Sequence, residues 1–175
     1  MHKNVVRSLA SALAAGMLFS ASAATMAATN SASSDITLTF NPSIVIADVG
    51  DITITDPALG TDAVASDAFC IGGFGFPTFS ITFESNDGNN DTAFSLSGNG
   101  LDVPYSVGFD NSTNGPFTVV NEGEPLTGLD RNAASCSGSD NARFQITVAN
   151  SAWQTNDVLD GTSYTDTLLI TVASE

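Results

Sequence analysis

The sequence predicts an all-β fold, an immunoglobulin-like β-sandwich in one domain. Short runs of alternating apolar and polar residues recur at intervals of about 8 to 12 residues, with turn residues between them. Thr, Phe, Ile and Val dominate these runs, as in half-buried strands. No stretch after residue 27 has the 3.6-residue period of a helix. A closed barrel is the structural alternative.

The first element is an export signal over residues 1–27. Basic residues precede an apolar run over residues 9–19, and small residues follow it to Ala27. That run is shorter than the roughly 20 residues that a membrane span needs, so an anchor is disfavoured. Cleavage after Ala27, with an earlier alternative after Ala23, predicts an exported chain in an oxidising compartment.

Three short extended runs come next. Residues 36–40 alternate strictly between apolar and polar side chains, and Pro42 ends the run. Residues 44–46 and 52–55 are the other two runs, and residues 58–67, small and acidic, are predicted as a surface loop.

The middle and the last third supply the remaining strands. Each has one apolar face, and together they cover residues 78–83, 93–96, 103–109, 117–120, 142–148 and 165–172. Asn99-Gly100 predicts a turn, and Trp153 lies in a polar link. Residues 121–140 form the longest irregular segment, a length usual for functional or mobile loops.

Charge excludes one class of function and disfavours another. After Arg7 the chain keeps two arginines against 19 acidic residues, and such a surface repels the phosphates of nucleic acids. The single histidine, His2, lies in the export signal, so no histidine remains to activate a nucleophilic serine. Paired carboxylates could still hydrolyse glycosides, but with so many acids proximity alone proves nothing. We predict that the protein is not an enzyme.

Cys70 and Cys136 predict one disulfide. They are the only two cysteines, and an even number in an exported chain is typical of such a bond. In the chain-entropy model, a disulfide that closes the loop between these two residues stabilises the fold by at most about 4 kcal/mol. A structural zinc site needs four Cys or His ligands, so metal binding by these two residues is disfavoured.

Two further candidate sites have simpler structural explanations. Residues 87–91 place oxygen ligands at alternate positions, as calcium loops do, but Gly98 stands where an EF-hand needs its bidentate acid, so a turn is favoured over a weak calcium site. Tyr105, Trp153 and Tyr164 could stack on a sugar, but packing in the core or at a sheet edge is favoured.

The N-terminal apolar segment, residues 36–40, is the most informative feature. Its apolar side chains, Ile36, Leu38 and Phe40, follow a polar lead and precede Pro42. One interpretation is the first strand of the chain's own sandwich. The other is a strand for a neighbouring molecule, because an extended segment can complete an open sheet edge while alternate side chains fill pockets.

Two parts of the sequence resemble subunits of chaperone-usher fimbriae. Residues 35–44, Asp-Ile-Thr-Leu-Thr-Phe-Asn-Pro-Ser-Ile, look like the donor strand of major subunits, especially of the alternate and archaic branches. Cys136, residues 142–148 and residues 161–168 are similar to the closing part of spore-coat-U-like pilin domains, where Gly, Tyr and Asp precede the last strand. The chain lacks the penultimate aromatic residue of classical fimbrial subunits.

The resemblance implies an incomplete sandwich that lacks its final strand. A periplasmic chaperone would hold the subunit first, and the donor strand of the next subunit would then complete it. Residues 28–42 would be the donor segment and residues 43–175 the pilin domain. Leu168, Ile170 and Val172 on the last strand would form the acceptor groove and the chaperone-binding strand.

The sequence therefore predicts a structural pilus subunit without a cofactor. Its expected partners are identical or related pilins, the periplasmic chaperone and an outer-membrane usher. It would pass through the periplasm to the cell surface and serve adhesion or biofilm formation. The alternative is a secreted β-sandwich module that binds carbohydrate or calcium.

Overall fold

A computed structural model describes residues 30–86, 93–155, 157–158 and 161–175. The described residues from 38 onward form one compact unit. Residues 30–37 are exposed and contain no regular secondary structure. The predicted export signal and the candidate calcium loop at residues 87–91 lie outside the described residues.

The described part of the chain contains ten strands and one short helix. In chain order they are β1 (Ser43–Ala47), β2 (Ala63–Phe74), β3 (Thr78–Ser85), β4 (Ser95–Gly98), β5 (Leu101–Pro104), β6 (Ser106–Asp110), β7 (Thr118–Val120), β8 (Leu126–Asp130), β9 (Ala142–Val148), α1 (Asn150–Trp153) and β10 (Leu168–Ser174). No helix of these residues is long and apolar enough to cross a membrane.

The strands form an antiparallel sandwich, which confirms the predicted all-β, immunoglobulin-like class. One sheet has the order β1-β2-β9-β6-β7, and the other has the order β10-β3-β8. β4 and β5 form a separate hairpin. Its turn is Asn99-Gly100, as predicted, and both residues have the positive φ that a type I′ turn requires, 51° and 77°.

Alternate side chains of the predicted strands build the core. Every residue predicted to face inward on β3, β5, β6 and β9 is buried, together with the linking Tyr105. Phenylalanine rings from both sheets meet there, because Phe83 of β3 lies 5.9 Å from Phe109 of β6 and 6.3 Å from Phe144 of β9 between ring centroids. The alternation in the sequence thus located most of the core.

β2 was missed, and its first residues were wrongly assigned to a surface loop. The strand starts at Ala63 and is the longest in the described chain. Its second half is buried on both faces, because the Ser135–Cys136 backbone covers the outer side at Gly72, where an added Cβ would lie 2.7 Å from the Ser135 carbonyl carbon. A strand covered on both faces loses the alternation by which strands are recognised.

Three other strand predictions need correction. Residues 52–55 form no strand, although Ile52 and Ile54 pack against the core. The predicted run at residues 103–109 is divided between β5 and β6 at Tyr105. Within the segment predicted as irregular, residues 126–130 form β8, whose Gly128 has a φ of 68° and whose pairing with β3 shifts register.

Candidate functional site

The candidate site is the β1–β10 junction, where one edge of each sheet meets the other. β1 is hydrogen-bonded to β2 alone, and β10 to β3 alone, among the strands of the described chain. The two strands are nevertheless close in space. Each therefore leaves an edge of backbone N–H and C=O groups available to another strand.

Half-buried apolar side chains line the junction. They alternate along both strands and pack against the core: Ile44 and Ile46 on β1, and Leu168, Ile170 and Val172 on β10. The outward-facing residues between them are more exposed, with Val45 at 42% and Leu169 at 55%. The predicted groove residues of β10 thus lie on one face, and β1 supplies an opposing pair that the sequence had not assigned to the site.

β10 is held in place by β3, its neighbour in the same sheet. Val172 pairs with Ile81 and Ile170 pairs with Phe83, and both partners are fully buried. At the end of the strand, the Glu175 backbone N–H donates to the Thr78 carbonyl at 2.8 Å. Within the part of the chain that the structure describes, β10 is therefore an edge strand that pairs on one side with β3.

A polar network around Asp166 fixes the start of β10. The Asp166 carboxylate accepts hydrogen bonds from the Tyr105 hydroxyl at 2.5 Å, the Ser85 hydroxyl at 2.7 Å, and the backbone N–H groups of Asn86 at 3.1 Å and Thr167 at 2.6 Å. These donors come from the end of β3, from the β5–β6 link and from the chain just before β10. One carboxylate thus joins three parts of the fold beside the junction.

Burial raises the pKa of Tyr105 well above its ordinary value, and the hydrogen bond to the Asp166 carboxylate raises it further. The ring packs nearly parallel to Phe94, with centroids 5.4 Å apart. Tyr105 is therefore a core residue that stays protonated. This environment does not present its ring to a sugar, whereas Tyr164 and Trp153 are half-buried against the core.

The predicted disulfide between Cys70 and Cys136 is present. Cys70 lies opposite Ala47 of β1 in the β1–β2 pair, so the bond secures the strand next to the junction. Arg131 supports the same region, since its guanidinium donates to the carbonyls of Gly73 at 2.6 Å and Phe76 at 3.1 Å. No local pattern in the sequence indicated this role for Arg131.

The N-terminal apolar segment carries no strand, and its apolar side chains face solvent. Ile36 is 92% exposed, Leu38 is 75% exposed and Phe40 is 61% exposed. Phe40 makes an edge-to-face contact with Phe74 at the end of β2, with ring centroids 6.4 Å apart. The structure does not place these residues as the first strand of their own sheet.

The described residues offer little to a metal ion or a phosphate. No group of three or more His, Cys, Asp and Glu side chains within them could hold a metal. Arg143 pairs with Asp110 at 3.0 Å, donates to the Gly115 carbonyl at 2.6 Å and lies over the Phe117 ring. Both arginines that follow the predicted signal are therefore engaged within the fold.

Comparison with known proteins extends the description of the fold. No protein-family model matches the sequence, and no curated protein matches it. Among solved structures, the chain is similar to one from a chaperone–tip adhesin complex in CFA/I fimbriae biogenesis, with a TM-score of 0.51 and 14% identity. The match covers 75% of this chain and 42% of that chain, so this protein spans less than half of its length. At this identity the likeness shows a shared fold.

Proposed function

We propose that this protein is a structural subunit of a chaperone-usher pilus that polymerises by strand donation. The observation that carries the proposal is a pair of complementary features in one chain. Among the described residues, the β1–β10 junction has two unpaired strand edges and half-buried apolar side chains. The N-terminal apolar segment exposes three apolar side chains at alternate positions. The segment of one copy would occupy the junction of the next.

The N-terminal apolar segment matches the β1–β10 junction in both its backbone and its side chains. An extended segment can form main-chain hydrogen bonds along a free sheet edge while its alternate side chains enter the apolar interior. Burial of Ile36, Leu38 and Phe40 would contribute roughly 5 to 8 kcal/mol by apolar area, before the cost of ordering the segment. The same insertion would cover the half-buried residues of the junction.

This contact would build a fibre. The donor segment and the acceptor junction are different surfaces, so the contact is head-to-tail and propagates from copy to copy. Before assembly, an exposed apolar edge would promote aggregation. A periplasmic chaperone that covers β10 and an outer-membrane usher would therefore accompany the subunit on its way to the cell surface.

The fold likeness supports this assignment. The similar chain belongs to a chaperone–tip adhesin complex in fimbriae biogenesis, and this protein shares its fold. We assign a structural role in attachment or biofilm formation and no catalytic one. The oxidised cysteines and internally paired arginines are consistent with that role.

The test is export to the periplasm with a cognate chaperone, for the chain with and without residues 28–42. Unheated denaturing gels should show a ladder of detergent-resistant multimers for the first and none for the second. Leu38→Asp should also abolish the ladder, because it places a charge on the apolar face. Thr39→Asp is the matched control, since Thr39 lies on the other face of an extended segment.

Two outcomes would contradict the proposal. One is a stable monomer both with and without residues 28–42, which would favour the secreted binding module. The other is a ladder that Leu38→Asp and Thr39→Asp weaken equally, because the alternation of the segment would then have no role in assembly.

A further inference from the structure

We infer that Pro42 and the two-residue spacing between the N-terminal apolar segment and β1 prevent the segment from filling its own junction. The inference rests on the proposed strand donation and explains why donation would occur between molecules. Only Asn41 and Pro42 separate Phe40 from the first residue of β1. The segment is therefore tethered directly beside the edge it could in principle occupy.

The spacing alone directs the apolar side chains to the wrong face. In an antiparallel hairpin, directly opposed residues point to the same side of the sheet. A two-residue loop at Asn41-Pro42 would oppose Phe40 to Ser43 and Leu38 to Val45. Ser43 and Val45 are exposed, whereas Ile44 and Ile46 face the core. Folding back in this way would leave the apolar segment in solvent.

Pro42 disfavours both of the tight loops by which the segment could fold back along β1. The type I′ turn of a two-residue hairpin needs positive φ at both central residues, whereas proline is fixed near −65°. A three-residue loop over residues 41–43 would place Phe40 opposite Ile44 and so direct the apolar side chains of the segment towards the core. That loop, however, typically needs αR at Asn41, which the following proline disfavours, and a left-handed residue at Ser43.

The surroundings of Pro42 hold this short link on the other edge of β1. The link runs against the end of β2, the strand that already pairs with β1. A Cβ added at Gly75 would lie 3.0 Å from the Pro42 Cα, and one added at Gly73 would lie 2.2 Å from the Ser43 carbonyl oxygen. Phe40 contacts Phe74 on the same strand. The glycines of β2 and its turn thus seat residues 40–43 on the side of β1 away from the junction.

The test first changes the turn and then varies the spacing in the chain with the changed turn. Pro42→Gly creates an Asn-Gly turn, and zero, one or two threonines are inserted after residue 42. With one insertion, the tight turn opposes Leu38 to Ile44 and Ile36 to Ile46, so the apolar side chains face inward. With no insertion or two insertions, the same turn directs them outward.

Each chain, from residue 28 onward, is refolded with its disulfide intact at low and high concentration. The wild-type chain should form multimers that increase with concentration. The single-insertion variant alone should be a monomer at both concentrations, with a higher melting temperature than the wild-type chain without residues 28–42. This higher melting temperature distinguishes self-closure from misfolding. The variant should also fail to bind an added peptide of residues 30–42, because its own segment already fills the junction.

The outcomes distinguish the inference from the proposed function. Suppose that the wild-type chain forms multimers. If the single-insertion variant then also forms multimers, or if all three variants behave equally, the inference is overturned and strand donation is not. A single-insertion variant that is monomeric yet binds the peptide would also overturn it, because its junction would still be open. A wild-type chain that stays monomeric with and without residues 28–42 would overturn the proposed function itself.

Discussion

Asp166 shows how one residue can stabilise the edge on which assembly would depend. Its carboxylate accepts hydrogen bonds from Tyr105, Ser85 and two backbone N–H groups. Charged acceptors form the stronger hydrogen bonds in proteins, and removing one leaves its donors without a partner. The sequence showed Asp166 just before the last strand, but three of its four partners, Ser85, Asn86 and Tyr105, lie more than 60 positions away along the chain.

Asp166→Asn should therefore destabilise the fold. The amide cannot accept all four hydrogen bonds with the strength of a carboxylate, so we expect a loss of about 2 to 3 kcal/mol in the free energy of unfolding. Urea denaturation measures this loss. Asp51→Asn, at an exposed position, is the control and should change stability by less than about 0.5 kcal/mol. Equal effects of the two substitutions would contradict the role of Asp166.

Tyr105 should make stability fall at alkaline pH. Burial, with the bond to Asp166, raises its pKa in the folded state, so above about pH 10 the unfolded chain releases a proton that the folded chain keeps. The free energy of unfolding should then decrease as the pH rises from the ordinary pKa of tyrosine, about 10, towards the raised pKa of Tyr105. Tyr105→Phe should flatten this decrease, and denaturation at pH 8 and pH 11 tests it. An unchanged slope would refute the assignment.

At the scale of single elements, alternation in the sequence located strands with one buried face and missed the others. β3 and β9 were predicted nearly to their ends, because each presents one face to the core. β2 escaped because both faces of its second half are covered, and the 52–55 run failed because no neighbouring strand pairs with it among the described residues. The periodicity of apolar residues indicates which face of a strand is buried, whereas the pairing of that strand depends on distant parts of the chain.

The candidate site was predictable in part for the same reason. Ile36, Leu38 and Phe40 were recognised from their alternation, and Leu168, Ile170 and Val172 from the resemblance to pilins. Ile44 and Ile46 were seen as a short strand, but their place opposite β10 depends on the order of strands in two sheets. No local signal in the sequence encodes that order.

Side chains on the two faces of β10 should differ in their effect on assembly. Ile170 lines the junction, so Ile170→Ala should weaken the multimers by about 1.5 to 3 kcal/mol as apolar contacts with the donated segment are lost. Leu169→Ala, on the exposed face, should leave them nearly unchanged. The temperature at which multimers dissociate in detergent compares the two. A larger effect at Leu169 would place the contact on the wrong face.

At the scale of the whole molecule, the described fold is a sandwich with the β1–β10 junction at one side, and the sequence is strongly acidic. After Arg7 the chain carries two arginines against 19 acidic residues. Copies of such a chain repel each other, so the proposed assembly would depend on the short-range apolar contact at the junction and would proceed against long-range charge repulsion.

Salt should therefore accelerate multimer formation. The distance over which charges act falls from about 30 Å at 0.01 M salt to about 8 Å at 0.15 M, which weakens repulsion between approaching subunits. Light scattering during refolding of the chain from residue 28 should show faster growth at the higher salt concentration. Slower growth with added salt would indicate that attraction between opposite charges guides assembly.

Mixing of two complementary variants tests the central claim most directly. Leu38→Asp should disable the donor segment and leave the junction intact, whereas Ile170→Asp should disable the junction and leave the donor intact. Each variant alone should stay monomeric, and the mixture should give one detergent-resistant heterodimer with one copy of each. Failure of the mixture to form that heterodimer, or growth of either variant alone into multimers, would contradict strand donation between copies.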